Sequence, residues 1–478
     1  MRRASCCLLL VGICGCMQGS GRAEAGKPVA LPALSAYRYD EDYSFLKDED
    51  LRSHAEPLSL APLKYVRLGS DSSNYLSVGS EVRLRYEYYK NNQWGQGPQD
   101  HGGYVWGRLL PYADLHIGPY FRAFAQAIAA YEWGDAAGVS PPDEDQLDLL
   151  QGFIDVRLPA GDKTTLLVRG GRQLLHYGSE RLIGLRYGPN VPQPFDAVLL
   201  RLEHGPWRVD AFYARPVEIG RGTWDDEADD TQDAWSLYAT RALPLLGEGS
   251  GVDVYYIGYR DDRAAFAQGE GRERRHTVGV RWFGAAAGYD WNCEGFYQFG
   301  SFDNSSANGE ISAWSLASSS GYTFGGARLQ PRIGLKANVI SGDDDAGDPD
   351  LQTFNALFPK GKYFGEIGLL GPYNLVNVHP TLLLNLTGKL TLDVASVFYW
   401  RYSTHDGIYD NAGNVIRDGA DSGKRFIGSQ LEALFTYAFI REIEASASYS
   451  VFIPGSFIDD TGPGKVVQFV GLEVGYKF

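Results

Sequence analysis

The end of the chain, residues 466–478, sets the tightest limit on what this sequence can fold into. Val470, Leu472, Val474, Tyr476 and Phe478 fall on one face of an extended strand, and Gly471, Glu473, Gly475 and Lys477 on the other. The preceding stretch repeats the pattern, with Ile443, Ala445, Ala447, Tyr449 and Val451 opposite Glu442, Glu444, Ser446, Ser448 and Ser450. A soluble sandwich would give the same local alternation, so period alone does not decide. Spacing does. Strands are expected at 75–89, 104–118, 119–131, 148–158, 164–173, 196–204, 206–216, 232–243, 250–260, 273–284, 286–300, 310–321, 325–340, 373–386, 388–403, 424–437, 440–453 and 466–478. The gaps between them alternate between long loops (90–103, 174–195, 217–231, 341–372, 404–423) and short turns such as Gly118-Pro119, Gly205-Pro206 and Gly284. Long outer loops and short periplasmic turns on an even number of antiparallel strands are the signature of an outer-membrane barrel. The fold class predicted is all-β: a transmembrane antiparallel barrel of about eighteen strands.

Composition agrees. Gly is 58, Tyr 30 and Phe 23, whereas Met is only 2. Beyond the leader, no window approaches the roughly 18 apolar residues that a membrane helix requires. The net charge of −15 argues against nucleic acid as a partner. At the start, basic Met1-Arg2-Arg3, an apolar run from Cys6 to Met17 and Ala23-Glu24-Ala25 predict a signal peptide over 1–25. A lipoprotein acylated at Cys16, after Ile13-Cys14-Gly15, is the competing reading. Cleavage after Ala25 leaves Cys293 alone, on an apolar strand face, so no internal disulfide can form. Residues 26–74 are expected to be a short N-terminal periplasmic segment, and 75–478 the barrel.

If the apolar face meets lipid, the other face lines the lumen. That assigns inward Arg83, Arg85 and Glu87, then Arg108 and Asp114, Arg122, and Asp155 with Arg157. Arg275, Arg281, Arg328, Arg332, Lys336 and Arg401 follow on later strands. With only Glu87 and Asp114 expected near the first four arginines, the wall reads as a solvated cationic track that would concentrate anions. The bland alternative is a lattice of mutually satisfying pairs, since buried charges are normally paired. The acids fall in the long loops, among them Asp143 to Asp145, Asp225 to Asp230 and Asp343 to Asp350.

Gly171-Arg172-Gln173, Tyr177-Gly178, Arg181-Leu182, Gly188-Pro189-Asn190, Phe195-Asp196, Arg208-Val209-Asp210-Ala211-Phe212-Tyr213 and Thr353-Phe354-Asn355-Ala356-Leu357-Phe358-Pro359 together resemble the core signature of the alginate export porin family, as does Tyr39-Asp40-Glu41-Asp42 near the start. The resemblance implies an arginine-lined pore that secretes a polyuronate, with Arg172 carried over inside Gly-Arg-Gln. Strict alternation after Val168 points Arg169 inward and Arg172 outward, and a bulge at Gly170-Gly171 would exchange them.

The expected partners are an anionic polysaccharide, outer-membrane lipids, periplasmic export proteins, and the barrel-assembly machinery, for which terminal Phe478 resembles the recognition signal. The rival transport reading is a general anion-selective porin for small carboxylates, because a polyuronate and a dicarboxylate ask the same of a basic wall. No enzyme is expected, since His116, His176, His204 and His379 are scattered and G-x-S-x-G is missing. No cofactor is expected either. Asp343, Asp345 and Asp348 could offer hard oxygens to a metal, but their spacing departs from D-x-D-x-D-G, which favours solvated loop charge.

Overall fold

The structure, a computed structural model, describes residues 32–48 and 61–478, apart from 100, 136–137, 140–141, 248, 305–306, 346 and 420. The signal peptide expected over 1–25 lies outside the described residues.

Eighteen long strands form one closed antiparallel barrel. They are β1 (Tyr75–Lys90), β2 (Tyr104–Ile117), β3 (Phe121–Trp133), β4 (Asp145–Pro159), β5 (Thr164–Gln173), β6 (Phe195–His204), β7 (Trp207–Glu218), β8 (Gln232–Ala242), β9 (Gly251–Phe266), β10 (Gly269–Ala286), β11 (Tyr289–Asn304), β12 (Asn308–Thr323), β13 (Arg332–Ile340), β14 (Leu375–Asn385), β15 (Leu390–Arg401), β16 (Phe426–Ile440), β17 (Ile443–Pro454) and β18 (Val467–Lys477). Each pairs with its sequence neighbours, and β18 returns to β1 in a register running from Glu81↔Lys477 to Lys90↔Gln468. Phe478 extends that seam: its N–H donates to the Ser80 carbonyl at 3.0 Å, and Ser80 donates back to Phe478 O at 3.1 Å. In lipid an unpaired strand edge has no water to bond, so closure is obligatory.

The two faces separate as alternation requires. On β1, Val82 and Leu84 are 37% and 55% exposed, while the intervening Arg83 is 2% exposed. Leu472 and Val474 are likewise exposed on β18, and Cys293 sits beside exposed Trp282 on the outer face.

The expected rhythm of connections fails in three places; at 301–309 β11 and β12 simply run on, to Asn304 and from Asn308. The predicted long loop at 261–272 is strand: β9 and β10 run on, with a bulge between Asp261 and Ala264, and turn at Ala267-Gln268. Their outer ends are rich in charge (Asp261, Asp262, Glu270, Arg272), which hides strand period from an apolar-polar count. Conversely, the strand expected at 325–340 begins only at Arg332. Gly325-Gly326, then Leu329 and Gln330 in the left-handed region, turn the chain there, and Pro331 has no N–H for a ladder.

Closure predicts an asymmetry between two seam glycines. A Cβ on Gly79 would lie 2.4 Å from Phe478 O, whereas one on Gly475 meets nothing within 4 Å. Gly79→Val should therefore abolish the heat-modifiable folded band on gels, and Gly475→Val should keep it.

Candidate functional site: a barrel lumen crossed by three segments

The lumen is occupied by three stretches of chain. The first is the N-terminal segment 35–47, expected to lie in the periplasm but seated in the short-turn end of the barrel. Tyr39 packs edge-on against Phe124 and Phe153 and donates to Leu174 O at 3.0 Å, and Tyr37 stacks on His176. Arg38, almost fully buried, donates to Phe478 O at 2.7 Å and pairs with Glu41 at 3.2 Å. The second stretch is the connection 174–194, and the third is 341–374. These two bridge each other inside the barrel, where Ile183 pairs with Phe358 and Lys360 N–H donates to Glu180 O. Around them, apolar inward residues of β6 to β9, β11 and β12 (Phe195, Leu199, Phe212, Tyr238, Tyr255, Phe296 and Ile311) join one buried cluster with Phe354 and Phe358. This side of the interior is packed core.

This crowding decides what the arginines do. Arg83 donates to the carbonyls of Tyr187 and Pro189 at 2.9 and 2.8 Å, and Arg108 to Asn190 O at 2.9 Å while pairing with Glu81 at 2.5 Å. Arg85 is ringed by Glu87, Glu366 and Glu473 at 2.5, 2.7 and 2.8 Å. Arg122 clasps Asp114 through two bonds of 2.7 Å and reaches Tyr39 O at 2.6 Å. Arg275 pairs with Glu273 and donates to Thr353 O, and Arg281 pairs with Asp253 at 2.7 Å. Glu81, Glu366 and Glu473, and the carbonyls of the inserted segments, are the partners that the sequence reading lacked. The excess of cations that suggested a solvated track on these strands is accordingly absent.

The remaining assignments scatter. Arg169 faces the lumen, bonded to Asp155 at 2.6 and 2.8 Å, with its guanidinium 3.9 Å from the Phe153 ring centre. Arg172 faces the opposite way and holds Asp196 at 2.9 Å. The register through Gly170-Gly171 is regular, so no bulge exchanges them. Arg332 faces inward and grips Asp290 at 2.6 and 2.8 Å. Arg157 is exposed at the periplasmic rim. Arg328 leaves the wall altogether, because it sits exposed in the turn before β13. Arg401 is not a pore residue: it is 1% exposed, stacks 4.0 Å over Phe457 and donates to carbonyls of the 402–425 connection, including Gly419 O at 2.9 Å. Asp343, Asp345 and Asp348 do not converge on a metal. Asp343 accepts from the amides of Asp345 and Gln352, Asp345 from Gly347, and Asp348 from Asp350, which uses them as turn braces. Burial lifts the Asp343 carboxyl to about 6 against those amide bonds.

Two lumen cations stay exposed. Lys336 on β13 and Lys360 on the inserted connection form no ion pair among the described residues. They interact with each other and with Arg181, which is paired to Glu294. Enclosure by the barrel, then the charges of Lys336 and Arg181, pull the Lys360 ammonium down to about 8. Nearer the periplasm, Arg201 and Arg208 continue the row begun by Arg122 and Arg169, share Asp210 at 2.8 and 3.6 Å, and keep about a quarter of their side chains exposed. Sequence reading missed Arg38, Arg181 and Arg201. Leu200-Arg201-Leu202 carried a plain alternation signal, whereas loop residues carry none.

A closed eighteen-stranded barrel with a lipid-facing apolar belt and a charged lumen defines a porin of the bacterial outer membrane. The alginate export family model matches residues 74–471, and the chain belongs to that family. Solved structures share the fold. They include Acinetobacter baumannii OccAB1 (12% identity, TM-score 0.56, 84% of this chain and 97% of that one). Pseudomonas aeruginosa OccK2 (OpdF) in complex with glucuronate gives 13% identity, TM-score 0.54 and coverage of 84% and 98%. Pseudomonas aeruginosa OpdK with vanillate gives 10% identity, TM-score 0.55 and coverage of 84% and 98%. No curated protein sequence matches the chain.

Two outcomes follow from the inserted segments. Removing residues 35–47 should raise single-channel conductance in a planar bilayer while the barrel still assembles. Arg108→Gln leaves Glu81 buried beside only Lys477 and Tyr187, and should cost about 3–5 kcal/mol, read as a lower denaturation midpoint and a noisier open channel.

Proposed function

We propose that the protein is an anion-selective channel that exports a carboxylated polysaccharide of the alginate type. The observation that carries this reading is the pair Lys336 and Lys360, exposed cations in a lumen whose other charges are largely matched. An anion crossing it would pass the exposed edges of Arg201 and Arg208, which share Asp210, and then the two lysines, which form no ion pair among the described residues. Family membership supports a polyuronate as the permeant. Direction would come from periplasmic export proteins. Assembly would use terminal Phe478, whose backbone completes the β18–β1 seam.

A second reading, passage of small carboxylates, is favoured by one observation. Arg83 and Arg108 hold the 187–190 stretch across the lumen, which narrows the path. Two fold neighbours were solved with single carboxylates, glucuronate and vanillate.

Bilayer recording separates the two. The wild-type channel should prefer anions, and oligouronates should block its halide current more strongly than monomeric carboxylates do. Equal block by monomers would favour the small-solute channel, and a cation preference would sink both. Lys336→Gln with Lys360→Gln should cut the anion preference severalfold, with the effect shrinking at 1 M salt, where screening reaches about 3 Å. Because Lys360 is held near 8, it loses its charge as the pH rises through that value, so anion preference should fall between about pH 7 and pH 9. Lys360→Gln should flatten that step.

A further inference from the structure

At the outer rim, Asp148 of β4 meets Asp225 and Asp226 of the 219–231 connection, with one carboxylate oxygen from each lying within 4.8 Å of the others. A fourth carboxylate stands apart from this group in its bonding. Asp145, at the start of β4, is 0% exposed, and neither of its oxygens has a hydrogen-bond partner. Its leading charged neighbours are Asp226, Asp148 and Asp225. Arg172 lies 3.9 Å from both Asp148 and Asp226 but spends its bidentate face on Asp196, and Arg221 of the same connection is paired with Glu144.

Three carboxylates within 4.8 Å of one another, with a fourth beside them that is buried and unbonded, cannot all stay ionised without a counter-charge. Among the described residues, no cation besides Arg172 pairs with these acids. An all-carboxylate donor set suits a hard divalent cation, and flexible oxygen-rich coordination drawn from two chain segments suits Ca²⁺ better than the stricter octahedron of Mg²⁺. We infer that Asp148, Asp225 and Asp226, with the unbonded Asp145 beside them, form a Ca²⁺ site that ties the 219–231 connection to the barrel rim at β4.

The site would act as a staple. Backbone bonds already bring the segments together, with Gln146 and Leu147 N–H donating to Gly222 O and Trp224 N–H to Leu147 O. Those bonds alone do not cancel the repulsion among the acids, whereas the ion does. With Ca²⁺ bound the connection is held, and without it the acids push the connection off.

The test uses the folded full-length barrel in detergent, stripped with a chelator and titrated with CaCl₂ by calorimetry. One saturable site is expected. Asp148→Asn should weaken it by at least about tenfold, the loss typical of disturbing even an outer partner of a bound metal. Asp225→Asn, at an exposed position that folding does not depend on, should do the same. Asp345→Asn, in the other acidic connection, should leave it unchanged. Protease cleavage within 219–231 should slow on adding Ca²⁺ in the wild type and not in Asp225→Asn. No binding heat, or heat that survives both Asp148→Asn and Asp225→Asn, would overturn the site.

Discussion

Lipid offers no partner to a peptide group, and everything else in this molecule follows from that constraint. It forces the β18–β1 seam to close, and the seam sets the barrel's size through strand number. The chain then has an interior too wide for wall side chains alone to fill. The same rule applies again one level in: segments 35–47, 174–194 and 341–374 carry backbone carbonyls into a space where water is scarce. Each buried carbonyl must find a donor.

Arginine supplies them. Arg83, Arg108, Arg122, Arg275 and Arg401 each place a guanidinium against a main-chain oxygen of an inserted or capping segment. A planar fork with five N–H groups can hold a carboxylate with one edge and a carbonyl with the other, as Arg108 does with Glu81 and Asn190. A lysine could not. Hydrogen bonds from a charged donor are worth about 1.5–3 kcal/mol, so two or three per arginine outweigh the side-chain entropy of about 2 kcal/mol each. These residues thus convert loops into lumen wall. The lumen cations that remain open to solvent are lysines or quarter-exposed arginines, Lys336, Lys360, Arg201 and Arg208.

The barrel was legible because its signal is local. Period-2 alternation and connection length are properties of short stretches, and all eighteen strands were placed from them to within a few residues at most ends. What misled was equally physical. The outer extensions of β9 and β10 carry charges and glycines that break the alternation, so they read as loop although Ala264 and Phe266 are buried there, and the apolar inward residues of β6 to β9, β11 and β12 gave no hint that a packed core lay within. The site was less legible, because the facing of a side chain follows from alternation but its partner does not. Arg85 was correctly turned inward, yet Glu366 and Glu473 reach it from a distant loop and the last strand. Arg401 sat on the inward register and still left the pore, because the 402–425 connection folds over it.

Charge is sorted by depth. The net −15 resides mainly in outer connections, while the lumen is close to balanced with two open lysines. An anion arriving from outside meets the acidic rim first, and one arriving from the periplasm meets Arg201 and Arg208 first and the rim last. At physiological ionic strength screening acts over about 8 Å, so the rim is felt only by an anion already at the mouth. There it is a barrier in both directions, and the field by itself gives no direction to transport. A bound Ca²⁺ at Asp148, Asp225 and Asp226 would lower that barrier at one side of the rim while fixing the connection there. In the export reading, that ion couples the shape of the outer mouth to the divalent content of the medium into which the polymer is released.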